Sequence, residues 1–167
     1  MFVTGRRIAA VVISSRCPSH ATAAAALERY RFASRSMSNN DVSHVYTAAA
    51  PAPVGAYSQA VKYGDTVYLS GALGLDVNTG KLVEGGAGPE TTKALENIQR
   101  ILEASQSSFR SVVKTTVLLA DIKDGPTVNE IYKQFFVQPY PARAMFQVAN
   151  LPLGAKIEIE VVAAVNK

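Results

Sequence analysis

Apolar positions along the chain change their period several times, and each change marks an element. Residues 45–47 form a short strand candidate at the end of a polar approach that turns Ala- and Pro-rich. Residues 57–63 and 66–70 are β-like runs flanking Gly64-Asp65, a pair suited to a hairpin turn. Residues 71–88 hold six of the 11 glycines, too many for an unbroken regular element. That stretch reads as loop, with Leu73, Leu75 and Val77 as an edge-strand candidate. Ala94, Leu95, Ile98, Ile101 and Leu102 recur at helical spacing and predict a helix over 89–103; Pro89 fits its first turn and Glu90 its positive end. Residues 112–120, rich in Val and Thr, read as a buried strand ended by Asp121. A shorter helix follows over 127–136, with Val128, Ile131, Tyr132, Phe135 and Phe136 as its apolar stripe and Pro139-Tyr140-Pro141 as its stop. Two strands, 142–148 and 156–165, flank a loop containing Pro152 and Gly154.

Strands, helix, strand, helix, strands is the order of an α+β sandwich, one mixed β-sheet covered on one face by two helices. The other face then needs a partner. Val and Leu occur on both sides of the 112–120 strand, so a homo-oligomer is predicted.

Composition adds limits. With 48% hydrophobic and 18% charged residues the chain has the balance of an ordinary globular protein. Its longest apolar runs, at 8–13 and 161–165, fall far short of the ~20 residues of a membrane-spanning helix. The formal charge of +4 is unevenly placed: residues 1–36 carry six arginines and one acid, residues 37–167 eleven basic and twelve acidic side chains. A leader rich in Arg, Ala and Ser and almost without acid has the composition of a mitochondrial transit peptide addressed to the matrix, ahead of a single domain at 37–167. Two alternatives stay open. A secretory signal could use the run 8–13 after Arg6 and Arg7, although the arginines continue past it and no cysteine framework follows; a tail without an address is the other. Arg31-Phe32-Ala33-Ser34 suits a processing site, and Met37 could start a shorter cytoplasmic form. Without its leader the near-neutral domain offers no basic stripe for nucleic acid.

The only cysteine, Cys17, lies in the leader, and the histidines are His20 and His44. Within the domain this excludes disulfides, Cys/His zinc sites and a cysteine nucleophile, and leaves a Ser/His/Asp triad only the poorly placed His44. The glycines at 71–88 match neither phosphate-loop pattern. Two constellations remain. In Pro141-Ala142-Arg143, a guanidinium opens a strand just after a stiff double-proline loop, and its planar fork matches a carboxylate. In Ile157-Glu158-Ile159-Glu160, two acids share one face of a strand whose other face is apolar. Alternation alone makes that face a solvent face; set in a subunit cleft near Arg143, Glu158 becomes the domain's acid/base. The two acids would stand about 7 Å apart and parallel, which does not suit a paired-carboxylate glycosidase. Tyr57, Ser70 and Asn129 are further polar candidates beside turns or a helix start, each of which also has a structural reading.

Together these residues carry a resemblance. Val54-Gly55-Ala56-Tyr57-Ser58-Gln59-Ala60-Val61, Ser70-Gly71, Val112-Val113-Lys114-Thr115-Thr116-Val117, Thr127-Val128-Asn129-Glu130-Ile131-Tyr132, Pro141-Ala142-Arg143, Leu151-Pro152 and Ile157-Glu158-Ile159-Glu160 resemble the RidA/YjgF family of reactive intermediate deaminases, in the family's order over residues 45–165. The resemblance implies a chorismate-mutase-like fold and a homotrimer with active sites in the clefts between subunits. It also implies hydrolysis of 2-imino or enamine acids, such as 2-aminoacrylate, to 2-oxo acids and ammonia, with no metal or organic cofactor required. Arg143 matches the residue that binds the substrate carboxylate and Glu158 the one that positions water; both are expected to line one cleft. Tyr57, Ser70 and Asn129 match further pocket positions, as does Met145, where many bacterial members have cysteine and only a backbone contact would be kept. Ala56 stands where the family usually has proline and Ala72 where it usually has glutamine, departures that bear on substrate range more than on the core reaction. Two rival activities accompany the family: RNA cleavage or translation inhibition, and a non-catalytic trimer that binds small carboxylates or holds other proteins. A metal-free ribonuclease normally needs imidazole acid/base partners, and this domain has only His44.

Overall fold

The hairpin around Gly64-Asp65 forms with Gly64 at a φ of 58°, a conformation glycine adopts without strain. It joins β2 (Ala60–Tyr63) to β3 (Thr66–Leu73), Tyr63 opposite Thr66. The structure is a computed structural model that describes residues 42–166; the leader, with Cys17 and His20, lies outside them, as does Met37. Strand β1 (Val42–Val45) pairs antiparallel with β2, so the first strand lies earlier than residues 45–47 and includes His44. The cause is Gln59. Its buried amide accepts the Thr47 N–H at 2.7 Å and donates to the carbonyls of Thr47 and Pro51 at 3.0 and 2.9 Å, holding residues 47–51 as a loop where the sheet would otherwise continue. For the same reason the run 57–63 is a strand only from Ala60.

Strand β3 extends through Gly71 to Leu73, into the glycine-rich stretch that reads as loop. Its pairing with the last strand shifts register between Leu69 and Ala72, a bulge that lets glycine sit in a central strand. Beyond it only a single bridge, Leu75 to Leu82, remains of the expected edge strand. Helix α1 (Ala87–Ala104) begins two residues before Pro89 and buries the expected stripe. Its Glu90 is buried in the first turn, where the carboxylate accepts the Lys156 N–H at 2.7 Å. Strand β4 (Val112–Leu119), helix α2 (Gly125–Phe135), β5 (Ala142–Gln147) and β6 (Ile157–Ala164) complete the order.

The sheet runs β1-β2-β3-β6-β4-β5. Strands β4 and β5 are parallel, joined through α2, and β6 lies between β3 and β4, antiparallel to both. This is the mixed α+β sheet that the element order implies. Val67 and Leu69, Val117 and Leu119, and Ile157, Ile159, Val161 and Ala163 point to one face and form a core with Leu95, Ile98 and Leu102 of α1 and Val128, Tyr132 and Phe136 at α2. The alternating positions make the opposite face: Tyr68 beside Val162, Thr116 beside Glu160, and Leu118 between Glu158 and Phe146. Tyr68 and Phe146 are 49% and 46% exposed, so within one chain this face is apolar but uncovered. No helix among the described residues is long and apolar enough to cross a membrane.

Candidate active site

Arg143 is the second residue of β5, aligned with Thr115 of β4 on the helix-covered face at the sheet edge. The Tyr132 side chain rises from α2 between them. Its hydroxyl lies 2.9 Å from Thr115 Oγ1, and its ring centroid lies 4.7 Å below the guanidinium carbon of Arg143. Burial pushes the Tyr132 phenol pKa up, against smaller opposing effects of the Thr115 bond and the Arg143 charge, so the phenol is neutral. Arg143 has neither a hydrogen bond nor an ion pair to another described residue, which leaves its donors available. It lines a cavity of about 860 Å³ with Thr127, Asn129, Tyr132, Lys133 and Tyr140. The structure therefore brings Asn129 and Arg143 together. Met145, also on the helix side of β5, packs its half-buried side chain against the core near Gly125 and does not line the cavity.

Glu158, Ser70 and Tyr57 meet in a second cavity of about 460 Å³, whose apolar wall includes Ala52, Ala72, Ile101 and Leu153. Glu158 is half-buried on the open face, with Glu160 two residues on along the same face. Burial pushes the Glu158 carboxyl pKa above the usual carboxylate range, and the Glu160 charge adds to the rise. Gly71 makes room for this carboxyl, because a Cβ there would overlap its Oε1 and lie 2.7 Å from Cδ. The Ser70 hydroxyl donates to the Ser58 carbonyl at 2.7 Å, so toward the cavity it acts as an acceptor. Tyr57 is 50% exposed, its hydroxyl accepting the Val54 N–H at 3.4 Å. His44 takes no part: it lines neither cavity, and its Nδ1 is 2.9 Å from Ser58 Oγ.

The candidates thus divide into two half-sites. Arg143 and Asn129 lie on the helix side at the sheet edge; Glu158, Ser70 and Tyr57 lie across the sheet. Neither cavity of the single chain contains both Arg143 and Glu158, which the resemblance implies line one cleft at a subunit boundary. Two contributors escape the sequence reading. Tyr132 is visible there only as part of an apolar stripe, although a buried tyrosine needs a hydroxyl partner and Thr115 is the polar residue able to supply one. Gly71 reads as loop glycine, yet it is the neighbour that the Glu158 carboxyl requires.

The family model for endoribonuclease L-PSP matches residues 47–165. A human 2-iminobutanoate/2-iminopropanoate deaminase is 56% identical over 119 residues, 71% of this chain and 87% of that protein. The chloroplastic Reactive Intermediate Deaminase A of Arabidopsis thaliana is 52% identical over 134 residues, 79% of this chain and 72% of that protein. Among solved structures, RidA from an Antarctic Psychrobacter superposes with a TM-score of 0.72 at 46% identity, covering 74% of this chain and 99% of that one.

Proposed function

The chain belongs to the endoribonuclease L-PSP family, which includes the reactive intermediate deaminases, and on that premise we propose that it hydrolyses reactive 2-imino and enamine acids to 2-oxo acids and ammonia. The observation that carries this reading is identity above half, over 119 residues, to proteins that are themselves 2-iminobutanoate/2-iminopropanoate deaminases. The chemistry of the two half-sites supports it. A 2-imino acid presents a carboxylate beside an electrophilic carbon. The guanidinium of Arg143, its donors unspent, can hold that carboxylate through two parallel N–H bonds, with Asn129 adding polar contact in the same cavity. Glu158 is the group to hold the attacking water. Its carboxylate takes one proton of the water as the oxygen bonds to C2 and the C2=N π pair moves onto the protonated imine nitrogen; it then returns that proton to the amino group, which leaves as ammonia while the C2 hydroxyl gives up its proton and becomes the 2-oxo carbonyl. A raised pKa suits a group that must accept and release a proton in one cycle. Ser70 and Tyr57 face the same water and substrate from the Glu158 side.

The division of these groups between two cavities is the basis for reading a complete site as formed by two copies of the chain, in a homotrimer with one cleft at each boundary. The exposed Tyr68 and Phe146 on the open sheet face supply apolar surface for such an assembly. Met145 then contributes through its backbone. The arginine-rich composition of residues 1–36 supports a mitochondrial address for the longer form, with Met37 as the start of a cytoplasmic one.

The family's description favours a second reading, RNA cleavage. It finds little support in this chain, because His44 is bonded to Ser58 away from both cavities and the domain lacks a phosphate-tracking stripe. The distinguishing measurement is a coupled assay in which an amino-acid oxidase generates imines from several amino acids. We expect 2-oxo acid to form faster with residues 37–167 than spontaneously, and light scattering to give the mass of three chains. An unchanged spontaneous rate alongside salt-sensitive RNA cleavage would reverse the ranking.

Gly71 offers a separate handle on Glu158. Gly71→Ala is expected to fold, since the atoms it displaces are the end of a rotatable side chain, and the backbone φ there is not one reserved for glycine. Moving the carboxyl by about 1 Å or more should lower kcat by roughly 100-fold. Steady-state kinetics beside a thermal melt checks this, and unchanged kcat would mean that the Glu158 position is not critical.

A further inference from the structure

We infer that Tyr132 is a positioning residue for Arg143: its ring, fixed at both the tip and the back, supports the guanidinium by its face and leaves the guanidinium edge free for a carboxylate. The inference rests on the reading of Arg143 as the carboxylate anchor. Three contacts carry it. The guanidinium carbon is 4.7 Å from the Tyr132 ring centroid, within the range of a cation over an aromatic face. Behind that ring, Phe136 stacks at 4.1 Å with an interplanar angle of 17°, and Phe109 meets Phe136 edge-on at 4.8 Å. At the tip, the Tyr132 hydroxyl and Thr115 Oγ1 are 2.9 Å apart, and Thr115 is itself fully buried.

The choice of an aromatic follows from what the arginine must do. A free arginine side chain populates many rotamers, and holding it in one requires a contact. An aspartate or glutamate could provide that contact, but it would occupy the fork of N–H donors and cancel the charge that a substrate carboxylate needs. A ring meets the cation through its π face and uses none of the in-plane donors. Tyr132 does this from a position that is 3% exposed, and the only cation placed over it is Arg143 among the described residues. Burial also raises the phenol pKa, so no phenolate competes with the substrate for the guanidinium.

The test compares Tyr132→Phe with the same position carrying pentafluorophenylalanine, and with Tyr132→Leu, each alone and in an Arg143→Ala background. The readouts are KM and kcat for 2-iminopropanoate generated in situ and calorimetric binding of pyruvate as the carboxylate probe. The phenylalanine variant should stay within about twofold of wild type, because the platform survives the loss of the hydroxyl. The pentafluoro ring has a similar shape but an inverted face potential, and should raise KM and weaken pyruvate binding about fivefold relative to phenylalanine, with kcat changed less. Tyr132→Leu, where it folds, should weaken both about tenfold. None of these changes should matter further once Arg143 is alanine. Equal KM for the phenylalanine and pentafluoro rings would overturn the inference, as would equal losses in the Arg143→Ala background, since a purely structural role acts in both. If Arg143→Ala itself leaves pyruvate binding intact, the anchor reading fails, a result distinct from failure of the platform.

Discussion

Replacing Arg143 with alanine is expected to lower kcat/KM for 2-imino acids by about three orders of magnitude, on the order of 4 kcal/mol of transition-state stabilisation. The size follows from two losses that act together. One is a charge-assisted, two-bond contact with the substrate carboxylate, which is among the stronger polar interactions available. The other is orientation: without the anchor, C2 of the imine is no longer held against the water that Glu158 delivers, and effective concentration is lost. The fold should not suffer. Arg143 is exposed, has neither a hydrogen bond nor an ion pair to another described residue, and lies over the Tyr132 ring, a contact worth about 1 kcal/mol. Arg143→Lys should recover only a small part of the activity, because an ammonium cannot offer two parallel donors and fits the ring face differently. Turnover of freshly generated 2-aminoacrylate, measured beside the thermal melt and the mass of the assembly, decides the matter. An alanine variant with wild-type turnover would remove Arg143 from the mechanism and with it the division of labour between the half-sites.

Legibility in the sequence follows the range of the forces involved. Both helices were legible because their apolar stripes are local, and only their ends moved by a residue or two. The strands of the second half were legible for the same reason. What failed was set by single side chains reaching across the chain. Gln59 turns residues 47–51 into a loop, and nothing in the local pattern says that a buried amide will capture four backbone groups up to twelve positions away. Gly71 reads as loop because glycine usually does, yet here it sits in a strand for the sake of a carboxyl 87 positions later. The site was legible in its members and not in its geometry. Alternation correctly placed Glu158 and Glu160 on one face, and the double-proline loop correctly marked Arg143 as opening a strand. That Arg143 faces the helices while Glu158 faces away depends on strand order, with β6 inserted between β3 and β4, and strand order is a long-range property. Tyr132 shows the limit most clearly: one residue serves the core stripe with its ring, Thr115 with its hydroxyl and Arg143 with its face.

Glu158→Gln is expected to lower kcat by roughly 100- to 1000-fold while leaving the protein as stable as wild type, or more so, near neutral pH. The two signs share one cause. The carboxyl lies half-buried without a hydrogen bond from another described residue, and Glu160 on the same face repels its charge, so its pKa in the folded protein stands above the unfolded value. The folded state therefore binds this proton more readily than the unfolded chain. Whatever Glu158 contributes to stability is present in full below the usual carboxylate pKa and is lost as pH rises through the raised folded value. At neutral pH the ionised group opposes folding, and glutamine, nearly isosteric and uncharged, removes that opposition while removing the proton acceptor. For wild type the same pKa sets the acid limb of the pH–rate profile: activity falls as pH drops through it, because a protonated Glu158 cannot take the proton of the attacking water. Glu160→Gln should move that limb to lower pH, but only part of the way, since burial is the larger cause and stays in place. Rates measured across pH for wild type, Glu160→Gln and Glu158→Gln, with melting temperatures on the same samples, separate the possibilities. A Glu158→Gln protein that loses stability at neutral pH in proportion to its activity would make the residue a structural one. An acid limb unmoved by Glu160→Gln would assign the titrating group elsewhere.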